Sequence, residues 1–61
     1  MKVGDLCRFR INTIREDVGD LVLILERKEY GHNVVYYYLH QKTGRIRQAA
    51  QRYLEKVDES R

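Results

Sequence analysis

VVYYYLH, residues 34–40, is the stretch on which the fold turns. Valine and tyrosine pack well on a pleated, half-buried surface, so the run favours extended backbone. Turn formers bound it on both sides. EYGHN before it carries Gly31 and Asn33, and QKTG after it ends in Gly44. The stretch is therefore a strand between two hairpin turns. Alternation sorts its side chains into two sets. If Val35, Tyr37 and Leu39 face the core, then Val34, Tyr36, Tyr38 and His40 face out, and at least one tyrosine, Tyr36 or Tyr38, is expected at the surface. A slip of one residue would exchange the two sets.

Neighbouring segments extend the pattern. KVGDLCRFRI alternates, with Cys7, Phe9 and Ile11 on one face and Arg8 and Arg10 on the other, as in a half-buried strand. Residues 12–20, NTIREDVGD, are polar and read as a long loop with a turn at Gly19. LVLILERK begins with five apolar residues, and its short length between turn signals favours a strand over a helix. RIRQA is a further short strand, with Arg45 and Arg47 on one face. QAAQRYLEKV admits two readings. Ala50, Tyr53, Leu54 and Val57 share a helical face. The alternative is one 3-10 or helical turn near Ala49–Tyr53 and a closing strand from Leu54 to Val57. The expected domain covers residues 1–57, with residues 58–61 a frayed tail.

Composition limits what such a chain can be. At 61 residues it buries only roughly 60% of its unfolded surface. Domains of this size usually need a disulfide, a metal or a partner. A single cysteine, Cys7, cannot form an internal disulfide, and this points to a reducing compartment with Cys7 as a small buried hydrophobe. Twelve Lys+Arg against nine Asp+Glu give a net charge of +3, which permits a polyanionic partner without requiring one. No apolar run approaches the roughly 20 residues of a membrane span, and MKVGDL has no signal-peptide core.

Four or five short strands without proline read as a small antiparallel barrel. The chain here resembles the SH3-like barrels, and among them the KOW type. VGDLCRF at the start, the second VGD at 18–20 before LVLILE, and RYLEKV at the end carry the likeness, which covers nearly the whole chain. The resemblance implies an all-β, five-stranded SH3-like barrel with a long loop before the second strand and a 3-10 turn before the last. It also extends to short uncharacterised proteins of tailed bacteriophages, cyanophages included. A cytoplasmic protein, of the host cell if phage-encoded, or a virion-associated one is the matching expectation.

The candidate site follows from the outward tyrosines. Tyr36 and Tyr38 on the surface would serve cross-strand packing, docking of a protein, or stacking of bases. The pairs Arg8/Arg10 and Arg45/Arg47, with Arg52, would surround them with cations suited to carboxylates or phosphates. A solvated strand face is the simpler role for those arginines. Glu16, Asp17 and Asp20 dilute the basic field, and their spacing lacks the alternating ligands of a calcium loop. His32, His40 and Cys7 show no C-x-x-C or H-x-x-x-H spacing, so no metal is expected. No phosphate loop or nucleophile elbow is present, and neither catalysis, a cofactor nor a small-molecule substrate is expected. The expected function is a non-catalytic protein-interaction module, self-association included. The alternative is a nucleic-acid-binding module on the same residues.

Overall fold

The computed structural model describes residues 2–57. It contains five strands: β1 (Leu6–Phe9), β2 (Leu21–Tyr30), β3 (Asn33–His40), β4 (Ile46–Ala50) and β5 (Leu54–Lys56). A 3-10 turn at Gln51–Tyr53 separates β4 from β5. All the strands lie in one antiparallel sheet of order β4-β3-β2-β1-β5. No pairing joins β4 to β5 among the described residues, so the sheet is open at its two edges rather than a closed barrel. The 3-10 turn and closing strand replace the helical reading of residues 48–57. The expected tail, 58–61, lies outside the described residues.

Local chemistry explains the hairpins. Tyr30 pairs with Asn33 across Gly31-His32, and Gly31 has φ +62° while no non-glycine residue among those described has positive φ. One positive φ at the first central position is the pattern of a type II′ turn, whose twist matches the flanking strands. Between Ile24 and Glu26 the β2–β3 register shifts, leaving Leu25 as an extra residue. Such a bulge bends the strand and increases its twist. Beyond it β2 carries Glu26, Arg27, Lys28 and Glu29, whose same-side neighbours pair as Lys28–Glu26 and Arg27–Glu29. This half of the hairpin is exposed.

The core lies on one face of the sheet. It consists of Cys7, Phe9, Val22, Ile24, Tyr36, Tyr38 and Leu54. Phe9 and Tyr38 belong to strands separated by β2, yet their rings meet edge-to-face at 5.5 Å between centroids. The sheet must curl to bring them together, and an edge-to-face pair of this kind contributes about 0.5–1.5 kcal/mol beyond its buried area. Burial raises the Cys7 thiol above its ordinary value, as fits a packing residue rather than a nucleophile. Ile11, expected on the core face with Cys7 and Phe9, is 45% exposed because β1 ends at Phe9.

Of the two registers open to β3, the structure adopts the one that buries Tyr36 and Tyr38, which were expected at the surface. Tyr36 and Tyr38 are 1% and 2% exposed and are the two largest fully buried side chains. His40 is buried with them, whereas Val35, Tyr37 and Leu39 lie half-buried on the other face. Cross-strand partners account for the choice. Ile24 lies opposite Tyr38 and Val22 opposite His40, and Cys7 lies opposite Val22. The second face is also apolar, with Leu6, Leu23, Leu39 and Ile46 in one row across four strands.

Candidate functional site

The loop between β1 and β2 builds the site. Thr13 Oγ1 accepts hydrogen bonds from the Glu16 N–H at 2.9 Å and the Arg15 N–H at 3.3 Å. The Thr13 N–H in turn donates to the Glu16 carbonyl at 2.8 Å. A hydroxyl that caps a local turn in this way fixes the direction of the next side chains. Asn12 Oδ1 accepts from the Val18 N–H at 2.8 Å, and Asp20 Oδ2 from the Asp17 N–H at 3.1 Å. Gly19 then returns to β1, its N–H on the Phe9 carbonyl at 3.0 Å. Gly19 has φ +91°, a conformation that other residues rarely adopt. These bonds turn Glu16 inward, 4% exposed, and leave Ile14 fully exposed.

Glu16 meets the end of β3. Tyr38 donates its hydroxyl proton to Glu16 Oε2 at 2.6 Å. His40 Nε2 lies 3.2 Å from Glu16 Oε1 and 2.9 Å from Asp20 Oδ2. Arg47, on β4 opposite Tyr38, has its Nε 3.9 Å from Glu16 Oε2. On its other side, His40 Nδ1 is 3.1 Å from Thr43 Oγ1, and the Thr43 N–H points to it at 3.3 Å. No buried side-chain polar atom among the described residues lacks a partner. The hydrogen bond from His40 holds the Asp20 carboxyl below its ordinary value, with help from the Asp17 N–H. Burial, and then the bond to Glu16, push the Tyr38 hydroxyl well above its ordinary value of 10.0.

That shift sets an alkaline limit. An unfolded chain ionises Tyr38 near pH 10, whereas the folded chain keeps the proton. The unfolded state then binds fewer protons, and stability falls as pH rises above about 10. Below that pH the group contributes no slope. In chelator-treated protein the urea midpoint should drop between pH 9.5 and 11.5, more for wild type than for Tyr38→Phe. The difference isolates Tyr38 from Cys7, whose raised thiol acts in the same direction. Equal slopes in the two proteins would show that Tyr38 is not held protonated.

Above this cluster lies a groove of about 710 Å³. Phe9, Tyr38 and Tyr53 line it, and Ile11, Ile14 and Ile46 stand exposed along it. Arg15 and Arg47 supply its cations. The arginines expected to act together are divided. Arg8 is tied to Glu55 of β5 by a 2.6 Å bond, and Arg10 and Arg52 line a second, polar hollow near His32. Arg52 also lies over the Tyr53 ring at 5.0 Å. Arg45 is exposed just before β4, and of the expected set only Arg47 and Tyr38 touch the groove. Tyr36 and Tyr38 thus offer no ring face outward for docking or stacking. Sequence reasoning missed Ile14 and took Glu16, two residues on in the same polar loop, only as a carboxylate diluting the basic field. The one available signal was Thr13, a turn former immediately before them. Among the described residues no helix is long and apolar enough to cross a membrane. Compared with models of known protein families, with curated proteins and with solved structures, the chain matches none.

Proposed function

We propose that this curled five-stranded sheet is a variant of the SH3-like, KOW-type fold with its barrel left open, acting as a non-catalytic protein-docking module within a phage or bacterial assembly. The observation that carries the reading is Ile14, fully exposed at the lip of an apolar groove by a loop whose own hydrogen bonds hold it there. Single exposed apolar residues are ordinary, but Ile11, Ile14 and Ile46 gather along one groove. Contiguous apolar surface rimmed by polar groups is the mark of an interaction site. Its occupant is an extended segment of a partner protein with apolar side chains and acidic flanks. The apolar groups would cover the groove, and the carboxylates would meet Arg15 and Arg47. Strand β4, which lines the groove, has no neighbour on its outer side among the described residues, so its backbone is open to an added strand.

Burying an isoleucine contributes about 1.5–3 kcal/mol, or roughly 10- to 100-fold in affinity. Peptides selected on the wild-type domain from a displayed random library should be rich in apolar and acidic residues. They should bind Ile14→Asp at least tenfold more weakly while its circular dichroism is unchanged. Equal binding to Ile14→Asp would sink the groove as the docking site. The same titration with a mixed-sequence single-stranded oligonucleotide at low and high salt tests the other class of partner. Oligonucleotide binding that collapses with salt, in place of peptide binding, would assign the surface to nucleic acid.

A further inference from the structure

We propose that Glu16, Asp20 and His40 form a binding site for one divalent transition-metal ion of the zinc class. The three residues come from the β1–β2 loop and the end of β3, and one ligand atom from each lies within 4.8 Å of the others. Imidazole nitrogen with two carboxylates is a donor set for zinc and its borderline neighbours rather than for calcium. Donors bound at about 2.0–2.2 Å stand roughly 2.9–3.4 Å apart around a four- to six-coordinate ion. His40 Nε2 already lies at 2.9 and 3.2 Å from one oxygen of each carboxylate.

The surroundings fit ligation as well. A ligating histidine donates its second N–H to a fixed acceptor. Thr43 Oγ1 stands 3.1 Å from His40 Nδ1 and can accept that hydrogen bond, while the Thr43 N–H serves the opposite tautomer in the metal-free chain. The Tyr38 hydroxyl orients Glu16 through Oε2 and leaves Oε1 toward His40. Asp20 is the most exposed of the three at 19%, so an ion enters from its side and a water completes the coordination. An ion here staples the long loop to the sheet, in a chain whose single cysteine cannot. The proposal does not depend on what the groove binds.

Chelator-treated protein titrated with Co²⁺ should develop visible d–d absorption saturating at one equivalent, and Zn²⁺ should displace it. Zn²⁺ should also raise the thermal midpoint, since an ion that binds only the folded chain stabilises it. Asp20→Asn, the least buried substitution, should keep the fold by circular dichroism and bind Co²⁺ at least tenfold more weakly. His40→Gln should abolish the absorption, and His32→Gln should leave it intact. Absence of saturable Co²⁺ binding to the folded wild type overturns the proposal. So does binding unaffected by Asp20→Asn, or binding lost in His32→Gln instead.

Discussion

Replacing Tyr36 and Tyr38 together with serine unfolds the domain in water at 25 °C. Each ring is almost wholly buried in a seven-residue core, and Tyr38 supplies the edge-to-face partner of Phe9. Truncating a buried aromatic side chain costs about 3–5 kcal/mol through lost transfer energy and the cavity left behind. A chain of 61 residues has about 3–9 kcal/mol of stability in total. Two such losses exceed most of that range. Neighbouring cavities are not additive, but they do not cancel. Far-UV circular dichroism of the double variant should show an unfolded chain, and each single variant should show a lowered urea midpoint. A folded double variant would mean that the rings face outward, and that β3 is paired in the other register.

Much of this architecture was legible in the chain. Period-two runs bounded by glycine marked the strands, and Gly31 and Gly44 marked the hairpins. RYLEKV indicated the 3-10 turn and closing strand. The register of β3 was not legible, because Val35-Tyr37-Leu39 and Val34-Tyr36-Tyr38 are equally apolar. Three things outside the stretch decide it. The bulge at Leu25 resets which residues of β2 face Tyr36 and Tyr38. Phe9 requires a ring across the curled sheet. Glu16 and Asp20 provide polar partners for Tyr38 and His40, so the polar ends of that row can be buried. The last of these joins residues 20 and 22 positions apart, beyond any local pattern. For the same reason the Glu16-Asp20-His40 cluster carried no sequence signature, although its members were each visible as loop carboxylates and a strand-end histidine.

Glu16 is the residue on which that polar row depends, and Glu16→Ala should cost about 3 kcal/mol. The substitution leaves the Tyr38 hydroxyl without its acceptor and removes one of two carboxylates facing His40. Hydrogen bonds to a charged group contribute about 1.5–3 kcal/mol, and a stranded buried partner adds its own desolvation cost. Glu16→Gln should cost less, because its amide oxygen still accepts from Tyr38. His40 meanwhile keeps its Nε2 bond to Asp20 Oδ2 at 2.9 Å, so its donor is not stranded. Removing the hydroxyl as well, in Glu16→Ala/Tyr38→Phe, should recover part of the loss, since the alanine variant no longer buries an unanswered donor. Urea midpoints of the two single variants, the double and wild type, all in chelator, give the coupling. It should fall between about 0.5 and 3 kcal/mol in favour of the intact pair. A Glu16→Ala cost under about 1 kcal/mol, with no coupling to Tyr38, would mean that the loop carries its carboxylate in solvent. The loop would then not be fastened to β3, and Ile14 would not be held at the groove.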